Sequence, residues 1–421
     1  MTLFISLPAS FRNPAQAPAV VSYMSYSGLG IVRSLSRRGV PVVALDPDPR
    51  QLGMSSHCCC ALQCPDQKKA EDEYLNFLIE LARQFGRQAV YYPTGDNTVQ
   101  FYSRHRAALE PYYRCVMPEP DLVEALVSKD GFDRLCLAHE LSAPQTVFPT
   151  DRADIESRLD QLKFPAVIKP AQSHDWKKPA MVTIVGAGTK ALRVDDAQQL
   201  LASYDKVARV NPRLVIQELI PGPDEALYYC CGYVDRTGTP RAAFVGQKLR
   251  CEPIHLGSAS FVMSVHNQEV VDASLRFLGE IGYRGLWGIE YKHDARDGQY
   301  KAIEFNARFG LWDILATRCG VDIPYIAYRD ATGQEVETHA NYRVGVKWVA
   351  MALDFLAFRQ YRSVGTLSLV RWLHSLAGEK LWAVYDPGDL RPFIEDTVEV
   401  LKTLPHKVLK RMTVHSTRFA K

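Results

Sequence analysis

The hydrophobic positions of this chain change period along its length, and the changes predict its architecture. From Ala19 onward, short apolar runs alternate with amphipathic stretches. They predict a strand over Ala19 to Ser25, a glycine-containing turn at Ser27-Gly28-Leu29-Gly30, a helix over Ile31 to Arg38, a strand over Pro41 to Asp46, a helix over Glu71 to Phe85 and a strand over Ala89 to Tyr92. Strand-helix alternation of this kind builds a parallel, doubly wound sheet. Small ligands bind such sheets at the carboxyl ends of the strands, so Ser27, Gly28 and the run Pro93-Thr94-Gly95-Asp96 edge a candidate crevice.

Past a helical segment at Pro120 to Leu141 the pattern becomes hairpin-like. Strands are expected at Pro165 to Pro170, Met181 to Val185, Leu214 to Ile220 and Ala226 to Val234, with a helix at Asn267 to Ile281. Two further strands, Gly288 to Lys292 and Lys301 to Arg308, flank a polar turn, and from about Thr338 the chain reads as mostly helical. No repeat or low-complexity linker interrupts the order.

The last hairpin carries acids where core would be expected. Strand residues two apart share a face, so Glu304 and Asn306 point together, and Arg308 follows if the strand continues. A three-residue loop Arg296-Asp297-Gly298 with Gly298 left-handed sets Glu290 opposite Glu304. Like charges opposed across a sheet destabilise it; at ~5 Å and an effective dielectric near 20 the repulsion is roughly 3 kcal/mol. A divalent cation turns it into attraction, and two carboxylates with an amide oxygen are hard ligands suited to magnesium. A solvated hairpin face is the competing reading of this segment taken alone.

Other groups favour an anion. Lys169 ends the apolar strand Val167-Ile168-Lys169, and the loop from Ala171 to Lys178 holds Ser173, His174, Lys177 and Lys178 beside backbone amides able to fold over phosphates. Gly186-Ala187-Gly188-Thr189-Lys190 lacks the spacing of a Walker loop. The strand end at Glu218, Leu219 and Ile220 could read an adenine edge, and Glu225 could accept ribose hydroxyls. A dinucleotide fingerprint is incomplete, because Arg33 stands where the third glycine of GxGxxG should permit close helix packing.

Length, at 421 residues, allows two to four subdomains, and the net charge of +3 excludes a strongly basic nucleic-acid binder. The final stretch is locally basic, through Lys402, Lys407, Lys410, Arg411, Arg418 and Lys421. No long uninterrupted apolar run predicts membrane insertion. Met1 to Leu7 has no basic n-region, and Pro8, Arg12 and Pro14 interrupt any signal-peptide pattern, so a cytoplasmic protein is expected. Ten cysteines do not form a secreted disulfide pattern. The cluster His57-Cys58-Cys59-Cys60 with Cys64 lacks paired CxxC units, and it reads as free thiols rather than zinc ligands.

Taken in order, Lys129 before a linker, Val-Ile-Lys-Pro at 167 to 170, Gln-Glu-Leu-Ile-Pro-Gly at 217 to 222, and Glu290 with Glu304-Phe305-Asn306-Ala307-Arg308 resemble the ATP-grasp superfamily. Ser-Gly-Leu-Gly-Ile-Val-Arg at 27 to 33, Gln-Lys-Leu-Arg at 247 to 250 and Phe-Asn-Ala-Arg-Phe-Gly at 305 to 310 resemble the D-aspartate ligase-like carboxylate-amine ligases within it. The resemblance implies α/β and α+β architecture. A pre-ATP-grasp Rossmann-like domain would span 1–125. A two-subdomain ATP-grasp fold would span 126–335, divided at 215/216, and a mostly helical extension would cover 336–421.

It further implies ATP held with Lys129 and Lys169 on its phosphates or adenine edge, residues 218–220 as the adenine hinge, and Glu225 on the ribose. Glu290, Glu304 and Asn306 would hold Mg2+, or Mn2+ in its place, and Arg308 would contact the transferring phosphate. The phosphate-covering loop, often glycine-rich in the superfamily, departs from the pattern as Ser173-His174-Asp175-Trp176-Lys177-Lys178. Partners would be a small-molecule carboxylate and an amine, with Arg250 orienting the carboxylate through its bidentate fork and Ser258, Ser260 and Trp312 as further substrate candidates. The expected reaction is attack of the carboxylate on the γ-phosphate, giving an acylphosphate and ADP, then displacement of phosphate by the amine. Three rivals stand beside it: a non-catalytic ATP-binding regulator, an NAD-dependent oxidoreductase using the N-terminal glycine turn, and a carboxylase. The lack of a Met-Lys dipeptide weakens the last. The apolar stretch Trp348 to Phe358 would serve either as core or as a homodimer interface.

Overall fold

A computed structural model of the chain describes residues 7–8, 11, 16–171, 175–186, 189, 191–255 and 257–399. The first sheet comprises β1 (Ala19–Ser22), β2 (Val42–Asp46), β3 (Cys60–Gln63), β4 (Ala89–Pro93) and β5 (Tyr113–Arg114), in the order β3-β2-β1-β4-β5. Every pairing is parallel. Both faces are covered, which is why β1 and β2 read as unbroken apolar runs. Val20, Val43 and Leu45 pack with Phe77, Leu78 and Leu81 of the helix Glu71–Arg83. Val21, Val42 and Ala44 pack on the other side with Ile31, Val32 and Leu35.

Those last three residues belong to the helix Tyr26–Ser36, so Ser27 to Gly30 is helix rather than the expected turn. Its glycines serve packing. A Cβ on Gly28 would lie 2.4 Å from the Tyr23 carbonyl oxygen, and one on Gly30 would lie 3.0 Å from Cβ of Ile314. Arg33, where a dinucleotide fold would want a third glycine, is buried and donates to Asp389 at 2.8 Å. The Asp389 carboxylate also accepts from Ser56 Oγ at 2.7 Å, so the approach of His57 and Cys58 to Asp389 joins a carboxylate already engaged.

The second sheet contains β6 (Thr146–Val147), β7 (Ala166–Pro170), β8 (Leu192–Val194) and β9 (Leu214–Glu218), antiparallel in the order β6-β9-β7-β8. The strand expected at Met181 to Val185 is instead a helix, Pro179–Val185. Its β-branched residues suggested a strand, but Pro179 occupies the first turn, where proline is favoured. Met181 and Val185, four apart, are the side chains it buries.

The third sheet comprises β10 (Leu227–Val234), β11 (Pro240–Glu252), β12 (Ser258–Ser264), β13 (Gly285–Asp294), β14 (Gln299–Asn306), β15 (Lys347–Val349) and β16 (Lys380–Trp382). Their order is β14-β13-β10-β11-β12-β15-β16. The long strand β11 had no clean alternation in sequence because its pairing with β12 shifts register between Lys248 and Cys251. The segment after Thr338, expected to be mostly helical, also contributes β15 and β16 to this sheet. Helices Met351–Ser363 and Leu369–Ser375 and a helix over 391–399 accompany these strands. Trp348 and Phe358 are buried.

Glu290 pairs directly with Glu304, as the hairpin argument expected, but by another route. Asp294 pairs with Gln299, so residues 295–298 form a four-residue loop in which Gly298 has φ +75°. A bulge then leaves Ile303 unpaired and restores the register between Tyr291 and Glu290. Among the described residues no helix is long and apolar enough to cross a membrane.

Candidate active site

A cleft of about 710 Å³ is lined by residues of the second and third sheets and by the start of two helices. From β7 and β9 come Val167, Lys169, Gln217 and Glu218, followed by Leu219 and Ile220. Lys248, Glu290, Lys292, Glu304, Asn306 and Arg308 come from the larger sheet and its edge. Lys129 opens the helix Lys129–Ala138, which is capped by Ser128 Oγ accepting from the Gly131 amide at 3.0 Å. Asp96, also lining the cleft, opens the helix that follows β4.

The nucleotide, metal and phosphate candidates Lys129, Lys169, Glu218, Leu219, Ile220, Glu290, Glu304, Asn306 and Arg308 therefore share this one cleft. Glu218 contributes its backbone, because its buried carboxylate is held by Arg296 at 2.6 Å and by the Gln145 amide at 3.3 Å. The Glu218 and Leu219 amides donate to the Gln145 and Pro165 carbonyls at 2.8 and 2.9 Å, and Pro221 has no N–H.

Two expected residues lie elsewhere. Glu225 is exposed on the turn Asp224–Ala226 and is not among the residues lining the cleft. Arg250 is buried, and its fork grips Asp354 through Nε at 2.7 Å and Nη2 at 2.9 Å, while Nη1 donates to Ser375 at 3.0 Å. The register shift in β11 separates it from Lys248: Lys248 faces the cleft and Arg250 faces the helix Met351–Ser363. Ser260 joins the Asp354 network at 3.2 Å, whereas Ser258 and Trp312 line the cleft. Ser173 and His174 lie outside the described residues, as do Lys402 and the basic positions after it.

Sequence reasoning missed Lys248, Lys292 and Tyr229 at the cleft. The signal for Lys248 was a lysine following the apolar run Ala242 to Val245, and the irregular register of β11 concealed which face it takes.

Burial and charge set the electrostatics. Lys248 donates to Glu290, and that carboxylate offsets the cost of burial and holds the lysine above its ordinary range. Burial pushes Lys169 down to about 8, with the nearby Lys129 acting in the same direction, although Lys169 donates to Gln217 Oε1. Arg308 donates through Nε to Asp96 at 2.7 Å; burial would lower its affinity for a proton, and Asp96 more than offsets this. Behind the cleft, burial raises Asp313 to about 7, against the opposing effects of the Gly310 amide, which donates at 2.6 Å, and of Arg308. The cleft thus gathers four lysines and an arginine around two opposed carboxylates, an arrangement fitted to a polyanion bound together with a divalent cation.

Known proteins share this arrangement of sheets. No family model matches the chain. The D-aspartate ligase of Enterococcus faecium (strain Aus0004) is 25% identical over 244 residues, which cover 56% of this chain and 57% of that protein. The match thus spans little more than half of its length. An L-amino acid ligase from Bacillus licheniformis superposes with a TM-score of 0.55 at 15% identity, covering 75% of this chain and 74% of that one. The biotin carboxylase domain of Hydrogenobacter thermophilus 2-oxoglutarate carboxylase, solved with MgADP, ADP and bicarbonate, superposes with a TM-score of 0.60 at 14% identity, covering 79% and 73%. The chain shares its fold with these ligase and carboxylase structures.

Proposed function

We propose that the cleft binds MgATP and that the chain is an ADP-forming ligase joining a carboxylate to an amine. The observation that carries this reading is the direct pairing of Glu290 with Glu304 in a cleft that also holds Asn306, Arg308, Lys129, Lys169 and Lys248. The likeness to D-aspartate ligase and to an L-amino acid ligase supports an amino acid or peptide as substrate.

The donor set fits magnesium. Two carboxylates and an amide oxygen are hard ligands, and the ammonium of Lys248 already sits against Glu290, which marks where positive charge is needed. Bound magnesium would neutralise phosphate charge there, leaving positioning and electrostatics as the protein's share of phosphoryl transfer. Glu290, Glu304 and Asn306 would hold the metal. Lys129 and Lys169 would neutralise the nucleotide phosphates, and Arg308, released from Asp96, would hold the oxygens of the phosphoryl group in transfer. Val167, Leu219 and Ile220 offer apolar surface to the base, and the Ile220 amide is left to read its edge. The substrate carboxylate attacks the γ-phosphate; the oxygen-phosphorus bond to ADP breaks. The amine then attacks the acyl carbon and phosphate leaves with the carboxylate oxygen.

Release of ADP from MgATP, measured against pooled amino acids and small carboxylates, tests the proposal with Glu304→Ala as control. Pool-dependent release that disappears in the variant supports it. Nucleotide binding with no turnover in any pool would turn the reading toward a regulator.

A further inference from the structure

The helix Leu369–Ser375 is built with its amphipathic face turned outward. Its one buried side chain, Trp372, stacks on Phe358 with ring centroids 4.7 Å apart and donates Nε1–H to Asp354 at 2.8 Å. Its apolar residues face solvent: Val370 is 77% exposed, Leu373 55% and Leu369 45%. On the helix Met351–Ser363, packed beside it, Met351 and Phe355 are also exposed. These two lie four residues apart, on one face. Most of the large apolar side chains exposed anywhere among the described residues fall between Met351 and Val398. Concentrated exposure of that kind marks an interaction surface rather than ordinary scatter.

The exposed charges carried by these two helices have one sign. Arg359, Arg362 and Arg371 are exposed on the same two helices. From Met351 to Gly378 the only acidic residue is Asp354, which is fully buried under Arg250 and Trp372. Acids return beyond these two helices, at Glu379, Asp386, Asp389, Glu395, Asp396 and Glu399, and the sequence from 400 to 421 then carries six basic residues and no acid. A second copy of the chain presents no exposed acid on these two helices to meet the arginines, whereas an anionic lipid surface offers hydrocarbon to Leu369, Val370 and Leu373 and phosphate to the arginines. Arginine is suited to both, since its stem lies along apolar surface while its head reaches phosphate. No described helix can span a bilayer, so contact would be interfacial.

We propose that the face formed by Leu369, Val370, Leu373, Met351 and Phe355, rimmed by Arg359, Arg362 and Arg371, docks the protein on an anionic membrane surface. The active-site cleft is not involved, so the inference stands independently of the ligase reading. Full-length chain is sedimented with vesicles of phosphatidylcholine alone or with about one third phosphatidylglycerol, a lipid whose charge attracts basic residues near the surface. Two variants are run beside it, Val370→Glu with Leu373→Glu, and Arg359→Glu with Arg371→Glu, all at exposed positions and each checked for an unchanged thermal midpoint. At least tenfold tighter partition onto the anionic vesicles, weakened by salt and lost in both variants, is the expected result. No partition onto anionic vesicles overturns the proposal. Binding that survives both variants also overturns it, assigning attachment to another part of the chain such as 400–421. A concentration-dependent dimer abolished by Val370→Glu with Leu373→Glu, with no vesicle binding, gives the face to a second copy and equally overturns it.

Discussion

Glu290 and Glu304 stand directly opposite each other in the pairing of β13 with β14, and the ammonium of Lys248 reaches the Glu290 carboxylate from β11. Lys248 is the ammonium that reaches the pair directly, and Lys169 and Arg308 act on Glu304 from farther off. On the proposed reading a divalent metal would add to this positive charge.

That balance predicts a specific metal dependence. Glu304→Gln removes one of two opposed charges whose repulsion is about 3 kcal/mol at an effective dielectric near 20. MgATP affinity should fall at least tenfold, about 1.4 kcal/mol, whereas metal-free ATP should bind no more weakly than to the wild type because a carboxylate facing its phosphates has gone. Calorimetric titration with and without EDTA separates the two effects. Equal losses in both conditions would remove Glu304 from the metal site.

Lys169 predicts how nucleotide affinity depends on pH. Burial and Lys129 set its pKa at about 8, so it is cationic below that pH and increasingly neutral above it. Phosphate binding favours the charged form, and affinity should therefore weaken as pH rises from about 7.5 to 9.5, by up to tenfold per unit in the steep region. Lys169→Arg, which stays charged throughout, should flatten this dependence. A wild-type affinity that is constant across the window would place Lys169 away from the phosphates. For folding the sign is opposite in origin: the native state binds fewer protons than the unfolded chain between about 8 and 10.4, so stability contributed by this residue rises with pH across that range.

Much of this was legible in the sequence because the signals were local. The parallel sheet follows from apolar runs covered on both faces, and the opposition of Glu290 and Glu304 follows from strand period and a glycine at the hairpin loop. What escaped depended on irregularity. The unpaired Ile303 compensates a loop one residue longer than expected, and no single-strand pattern displays such a cancellation. The register shift in β11 decides that Lys248 enters the cleft while Arg250 leaves it, although alternation would put residues 248 and 250 on one face. Helix Pro179–Val185 was obscured by β-branched residues whose propensity yielded to a proline start and an i, i+4 buried pair.

Arg250 therefore carries a structural prediction. Its partner Asp354 is fully buried and accepts from Arg250, Ser260 and Trp372. Removing one member of a buried ion pair leaves an uncompensated charge and costs roughly 3–5 kcal/mol. Asp354→Ala and Arg250→Ala should each lower stability by that order in urea titrations, and the double variant should cost less than their sum. Loss of ADP release in Arg250→Ala with unchanged stability would instead return Arg250 to the substrate.

Asp313 offers a test of the electrostatics behind the cleft that needs no substrate. It is buried, one carboxylate oxygen accepts from the Gly310 amide at 2.6 Å, and the Cys231 thiol lies beside the carboxylate. Burial raises its pKa to about 7, against about 3.9 for an unfolded aspartate. Between these values the folded chain keeps a proton that the unfolded chain has lost, so stability falls as pH rises from about 4 to 7 and stays lower above. Asp313→Asn abolishes the titration while keeping an oxygen for Gly310. The variant should match the wild type at pH 5 and exceed it at pH 8.5 by on the order of 3 kcal/mol, the span of the roughly two pH units between 5 and the folded value. Chemical denaturation at the two pH values reads the difference directly. An unchanged gap between variant and wild type would mean that Asp313 is already ionised at pH 5, held so by Arg308 across the floor of the cleft.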